Sequence, residues 1–249
     1  MAKDLQGKRI IVTREASQGK AFAEKISLLN GIPLELPLLR ISCKKAENQE
    51  QIFNNSENYD WIILTSANGV NCFFKQFHSG NHSFSADVKL AVVGSKTEAA
   101  LKQYGYDADL VPDIYDAESL AKIFLPKYEN GERILLVRGN RSLDTLPKKF
   151  KEKGIGFDSI EVYETTMNEP IKDELYKVIS NKEYDYITFT SPSTVQAFVE
   201  LYGMAVDSPC VCIGTTTEKA ARDSGFTHIL TAKTFTIEGM LEIMVEDQS

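Results

Sequence analysis

Short apolar, β-branched runs alternate along the chain with longer stretches of helical period. The runs are Ile10-Ile11-Val12, Trp61-Ile62-Ile63-Leu64, Leu90-Ala91-Val92-Val93, Ile134-Leu135-Leu136-Val137, Tyr186-Ile187-Thr188-Phe189 and Val211-Cys212-Ile213. Each is followed by a polar or glycine-containing turn and then by a helical stretch. Near-continuous apolar strands interleaved with helices predict parallel sheets covered on both faces. The fold class is therefore α/β.

The pattern is written twice. Arg9-Ile10-Ile11-Val12-Thr13-Arg14 recurs as Arg133-Ile134-Leu135-Leu136-Val137-Arg138, an offset of 133 − 9 = 124. Asp60-Trp61-Ile62-Ile63-Leu64-Thr65-Ser66 recurs as Asp185-Tyr186-Ile187-Thr188-Phe189-Thr190-Ser191, offset 125. Gly94-Ser95-Lys96-Thr97-Glu98 recurs as Gly214-Thr215-Thr216-Thr217-Glu218, offset 120, with Gly105 and Gly225 closing each helix. Ordered matches at nearly one spacing mark a duplicated unit. No linker composition separates the halves near Leu125-Pro126. Instead Pro33-Leu34-Glu35-Leu36-Pro37 and Ser159-Ile160-Glu161-Val162-Tyr163-Glu164-Thr165 read as extended connectors, each after a glycine that ends a helix (Gly31, Gly154). A chain that leaves the first domain early and returns late produces this layout.

The 249 residues suit two domains of roughly 125 residues each. No apolar run approaches the roughly 18–20 residues of a membrane span, and the polar start Met1-Ala2-Lys3-Asp4-Leu5-Gln6-Gly7-Lys8 has no signal-peptide core. A cytoplasmic protein is expected, with Cys43, Cys72, Cys210 and Cys212 as reduced, buried thiols. A net charge of −7 argues against nucleic-acid binding, which needs a basic surface. It leaves room for an anionic small molecule bound by local donors.

Four hydroxyl-rich turns sit where a strand ends and a helix begins: Thr65-Ser66-Ala67-Asn68, Gly94-Ser95-Lys96-Thr97, Thr190-Ser191-Pro192-Ser193 and Gly214-Thr215-Thr216-Thr217. In parallel sheets that end faces the ligand crevice, and helix N-termini suit carboxylate or phosphate. Each turn alone reads as an ordinary N-cap; together they predict an anion-binding cleft shared by the two domains. Gly94-Ser95-Lys96-Thr97 is not a P-loop, because Ser95 occupies the lysine position and Lys89 that of the first glycine. Arg14, Arg138 and Arg141 follow equivalent strands, where a guanidinium can grip a carboxylate or join a surface ion pair. His78 and His82 lack an adjacent carboxylate, Asp107-Ala108-Asp109 reads as a solvated loop, and Trp61 reads as core. There is no nucleophile triad, paired-carboxylate or metal-ligand signature.

At these residues the sequence resembles the uroporphyrinogen-III synthase family. The resemblance runs in order through Val12-Thr13-Arg14, Thr65-Ser66-Ala67-Asn68-Gly69-Val70, Ala91-Val92-Val93-Gly94, Leu136-Val137-Arg138-Gly139-Asn140, Ile160-Glu161-Val162-Tyr163-Glu164-Thr165, Thr190-Ser191-Pro192-Ser193 and Ile213-Gly214-Thr215-Thr216-Thr217. The fourth repeat turn departs from the family pattern, with Thr215 where a proline is usual. The resemblance implies two Rossmann-like or flavodoxin-like parallel-sheet domains, residues 1–36 plus 166–249 and residues 37–165. A two-stranded connector near 33–38 and 159–166 would join them.

The activity so implied is a cofactor- and metal-independent cyclising lyase of haem and tetrapyrrole biosynthesis. It converts linear hydroxymethylbilane to uroporphyrinogen III, losing water and inverting ring D. The substrate carries eight carboxylates. Its expected binding residues are Arg14, Thr65, Ser66, Ala67, Asn68, Gly94, Ser95, Arg138, Gly139, Asn140, Thr190, Ser191, Ser193, Gly214, Thr216 and Thr217. Tyr163 is the expected general acid, since phenols are protonated at neutral pH; packing on the connector is its other reading. A monomer is expected, with transient contact to the preceding pathway enzyme and none with nucleic acid or membrane. The rival readings are a non-catalytic two-lobed small-anion binding protein and a glycosyltransferase, for which nucleotide contacts are lacking.

Overall fold

A computed structural model describes residues 4–247. The polar start read from Met1 onward therefore lies partly outside the described residues. In chain order the first elements are β1 (Arg9–Val12), α1 (Ala16–Leu28), β2 (Ile32–Glu35), β3 (Leu39–Cys43), α2 (Gln49–Asn54), β4 (Trp61–Leu64) and α3 (Ala67–Ser79). There follow β5 (Lys89–Val92), α4 (Ser95–Gln103), α5 (Ala117–Phe124), β6 (Ile134–Gly139), α6 (Thr145–Glu152) and β7 (Phe157–Met167). The chain ends with α7 (Lys172–Ser180), β8 (Tyr186–Phe189), α8 (Pro192–Tyr202), β9 (Cys210–Cys212), α9 (Thr215–Asp223), β10 (Ile229–Thr231) and α10 (Ile237–Glu246).

Two compact units result. Unit 1 comprises Met1–Arg40 and Thr166–Ser249, and unit 2 comprises Ile41–Thr165. Unit 1 holds a five-stranded sheet in the order β10-β9-β8-β1-β2, all pairs parallel. The sheet of unit 2 runs β3-β7-β6-β4-β5, with β4, β5, β6 and β7 parallel. The unit boundaries fall inside β3 and β7, which lie side by side. The stretch expected as the first connector opens instead as edge strand β2, paired with β1, and the strand that crosses the boundary begins at Leu39.

Burial on both sheet faces explains the continuous apolar runs. Side chains alternate across a strand, so Ile11 packs with Leu175, Phe189 and Phe198 while Ile10 and Val12 pack with Phe22, Ile26 and Met240. In unit 2, Ile62 and Leu64 meet Phe73, Phe74 and Phe77, and Trp61 and Ile63 meet Phe124 and Phe150. The duplication reaches single hydrogen bonds. The Asp185 carboxylate accepts from Arg9 N at 2.8 Å, and the Asp60 carboxylate accepts from Arg133 N at 2.7 Å. Where unit 1 has β10, unit 2 keeps only the parallel bridge Ala91–Leu110.

Two smaller expectations change. Cys43 and Cys72 are not thiols but a disulfide, with Cα atoms 5.2 Å apart, that ties β3 to α3; Cys210 and Cys212 are the buried free thiols. Their adjacent positions on one face of β9, together with burial, push the Cys212 thiol up. At the end of α1 the left-handed residue is Asn30 (φ 58°), not Gly31. Asp107 and Asp109 lie exposed in a loop, as expected, and the Asp109 carboxylate also accepts from Leu90 N at 2.8 Å.

Candidate functional site

In unit 2 the carboxyl ends of β4, β6 and β7 bring four expected residues together. Ser66 is extended and caps α3, its Oγ accepting from Gly69 N at 3.0 Å. The same hydroxyl donates to Tyr163 Oη at 3.0 Å. Thr65 closes the strand end by donating from Oγ1 to the Val137 carbonyl at 3.2 Å. The Tyr163 ring lies flat on the backbone of Gly139, where a Cβ would come within 2.7 Å of Tyr163 Cε1 and nearer still to Cζ and Cε2. Only glycine admits the ring there, which gives Gly139 a structural reason. Ala67 and Asn68 form the first, half-buried turn of α3.

Arg138 and Asn140 both make hydrogen bonds within the protein. Arg138 Nη2 donates to the Ser142 carbonyl at 2.7 Å and pairs with Asp144 at 2.9 Å, leaving its side chain only 14% exposed. Its Nε is buried without a partner. The Arg138 guanidinium in turn holds the Asp144 carboxyl below its usual range. Asn140 Oδ1 accepts from Thr165 N at 2.9 Å and its own N donates to the Tyr163 carbonyl at 3.2 Å, pinning β7 just past the tyrosine. The guanidinium that reaches solvent is that of the neighbouring Arg141.

Arg141 and Arg138 line a cavity of about 370 Å³ whose walls include Thr65, Ser66, Tyr115 and Tyr163. The cavity thus combines a phenol, a capping serine, a free guanidinium and an aromatic face. Nothing in the apolar pattern signals Tyr115, which sits in a polar loop. A groove of about 400 Å³ beside Leu28, Leu29 and Leu241 of unit 1 carries none of the strand-end turns.

Unit 1 places its expected residues at the equivalent strand ends. Ser191 caps α8, accepting from Thr194 N at 3.3 Å, and its Oγ lies 2.9 Å from Ser193 Oγ. Thr190 is half-buried beside them. Arg14 Nε and Nη2 both donate to Gln18 Oε1, the former at 2.8 Å, and burial pulls the Arg14 pKa down, opposed by Glu15. The two glycine turns differ from the serine turns: Gly94 and Gly214 cap α4 and α9 without any side-chain hydrogen bond. Ser95 and Thr216 are exposed beyond them. Thr217 is buried, as is its counterpart Thr97, because that helix position turns inward.

Among the described residues no group of three or more His, Cys, Asp or Glu could hold a metal ion. His82 packs against the rings of Phe53 and Phe77, and His78 against Phe74. Nor is any described helix long and apolar enough to cross a membrane.

Two copies of one parallel α/β unit, with capped helix starts at the strand ends and a tyrosine seated on glycine among them, define a class of duplicated two-unit α/β proteins with a strand-end site. Within that class the chain belongs to the uroporphyrinogen-III synthase family: the family model for uroporphyrinogen-III synthase HemD matches residues 20–242. A porphyrin biosynthesis protein HemD of Ruminiclostridium josui is 31% identical over 253 residues, covering 99% of this chain and 50% of that protein. The chain thus spans about half the length of that relative. A putative uroporphyrinogen-III synthase of Methanocaldococcus jannaschii is 28% identical over 244 residues, 95% of this chain and 97% of that one. Crystal structures of the synthases from Thermus thermophilus and Helicobacter pylori share the fold. Their TM-scores are 0.64 and 0.62, at 19% and 15% identity, over 98% and 96% of this chain and 100% and 99% of theirs.

Proposed function

We propose that this chain closes hydroxymethylbilane to uroporphyrinogen III, with loss of water and inversion of ring D. The observation that carries the reading, beside the family match, is the direction of the Ser66–Tyr163 contact. Ser66 Oγ accepts from the Gly69 amide and donates its own proton to Tyr163 Oη. The phenolic proton is left for an outside acceptor in the cavity.

That acceptor is the leaving hydroxyl. The hydroxymethylpyrrole loses it readily because the pyrrole nitrogen stabilises the azafulvene that forms. Tyr163 delivers a proton to the departing oxygen, and water leaves. The substituted carbon of ring D then attacks in place of its free α-position, giving a spiro intermediate. The bond from that carbon to the old bridging carbon breaks, the inverted ring closes through its free α-position, and the proton lost there offsets the one Tyr163 gave. The reaction conserves oxidation state, so its balance needs no redox cofactor. Most of the rate comes from holding the chain ends in register, which can supply several kcal/mol.

The carboxylates meet local donors despite the acidic total. Arg141, Ser95, Thr216 and the unshielded first turns of α4 and α9 are the groups suited to them. Each charge-assisted hydrogen bond is worth roughly 1.5–3 kcal/mol, against about 8 kcal/mol net for a micromolar complex. The same reading has the enzyme act as a cytoplasmic monomer that receives its unstable substrate from the preceding enzyme.

The deciding experiment generates hydroxymethylbilane in situ, oxidises the products and separates uroporphyrin isomers I and III. Uncatalysed closure gives isomer I. Predominant isomer III on adding the protein is expected; isomer I alone, with folded protein, would leave a small-anion binding protein as the reading.

A further inference from the structure

Two exposed aromatic side chains take no part in the proton transfer described so far. Tyr115 in unit 2 and Phe235 in unit 1 are 61% and 63% exposed. Each immediately precedes a helix cap: Asp116 accepts from Ser119 N at 2.6 Å before α5, and Thr236 accepts from Gly239 N at 3.1 Å before α10. Each ring lies against the glycine that starts the preceding helix. A Cβ on Gly94 would stand 2.8 Å from Tyr115 Cβ and 3.0 Å from its Cγ; one on Gly214 would stand 3.2 Å from Phe235 Cδ1 and Cγ.

The two arrangements are one feature in both copies of the unit. The glycines are 214 − 94 = 120 apart and the aromatics 235 − 115 = 120 apart. Large aromatic side chains are ordinarily drawn into cores and interfaces, yet both copies hold one outside. Among the described residues neither ring pairs with another aromatic ring, so one face of each stays open. Tyr115 also walls the cavity that contains Arg141, Ser66 and Tyr163. A ligand suited to that wall is flat, aromatic and bears anionic substituents.

We infer that Tyr115 and Phe235 are stacking positions for pyrrole rings of the substrate, one in each unit. The inference rests on the synthase activity proposed above. Pyrroles carrying acetate and propionate arms match an aromatic face ringed by donors, and the glycine beneath each ring fixes its tilt. Stacking of this kind acts on substrate and transition state alike, so it lowers KM rather than raising kcat.

The test measures kcat and KM for isomer III formation with Tyr115→Phe, Tyr115→Leu, Tyr115→Ala and Phe235→Ala. Circular dichroism and thermal unfolding confirm the fold of each variant. Tyr115→Phe should stay within twofold of the unmutated protein in both constants. Tyr115→Leu, Tyr115→Ala and Phe235→Ala should raise KM about 3- to 10-fold with kcat nearly unchanged. Gly94→Ala, which displaces the ring without removing it, should raise KM likewise. If the leucine and alanine variants keep their KM while the unmutated protein makes isomer III, stacking is overturned and the activity stands. Isomer I alone from the unmutated protein overturns both.

Discussion

Ser66 Oγ lies 3.0 Å from both the Gly69 amide and Tyr163 Oη, accepting from the first and donating to the second. A hydroxyl has one proton to give, so this geometry orients Tyr163 as acceptor toward Ser66 and donor toward the cavity. Tyr163→Phe keeps the ring on Gly139 and removes only the proton. It should lower kcat by roughly 10- to 100-fold, the low end or below of general-acid contributions because the leaving group departs readily. KM and the unfolding midpoint should hardly move. Ser66→Ala should cost about 0.5–2 kcal/mol through the lost cap and slow turnover less than Tyr163→Phe does. A Tyr163→Phe enzyme of full rate removes the phenol from the mechanism.

Gly139→Ala tests the seat under the same ring. A Cβ there would sit within 2.7 Å of Tyr163 Cε1, well inside contact distance, so either the ring or β6 must shift. Overpacking of this kind typically costs 1–3 kcal/mol. The expected enzyme melts lower and turns over at about the rate of Tyr163→Phe, while the double variant is no slower than either. Additive losses in rate would show that Gly139 does not act through Tyr163.

The strands were legible because two-sided burial writes itself as unbroken apolar runs, and Ser66 and Ser191 were legible because a serine between strand and helix is what an N-cap requires. Arg138 was less so: its type suits carboxylate binding, but whether the guanidinium faces a ligand or its own loop depends on Asp144 and Ser142, and no period encodes that. The contact of Tyr163 with Gly139 crosses from one strand to the next and leaves no local trace. Tyr115 and Phe235 lie in polar loops without periodicity, yet the 120-residue offset that aligns Gly94 with Gly214 also aligns them. Extending the repeat past its helices was the available signal.

The Cys43–Cys72 disulfide is open to reagents on one side, since Cys43 is exposed while Cys72 is buried. Sequence spacing carries no hint of it, because residues 29 apart meet only once β3 lies beside α3. Closing a loop of that length should stabilise unit 2 by roughly 3–4 kcal/mol in the chain-entropy model. Dithiothreitol or Cys72→Ser should therefore lower the urea midpoint reported by Trp61, which lies in unit 2. Reduction should change nothing further in Cys72→Ser. An unmutated protein with the same midpoint in both redox states would show that the bridge adds no net stability.

Glu132 gives unit 2 a defined acid sensitivity. Its carboxylate accepts from Glu129 N at 2.8 Å, Trp61 Nε1 at 3.1 Å and Lys89 Nζ at 3.0 Å, with a side chain only 12% exposed. Burial opposes the charged form, but the three donors outweigh it and hold the pKa below its ordinary value near 4.5. A folded-state pKa below the unfolded one means stability that is complete above about pH 4.5 and is lost as pH falls through the folded value. Glu132→Gln leaves a neutral acceptor and should cost roughly 1.5–3 kcal/mol at pH 7. The Asp185 carboxyl, held low by Lys8 and the Arg9 amide against its own burial, also loses charge in acid. The informative quantity is thus the difference between the two proteins at each pH, from urea unfolding followed by Trp61 fluorescence. That difference should shrink between pH 5 and pH 3; a constant difference would mean that Glu132 acts through packing and not through its charge.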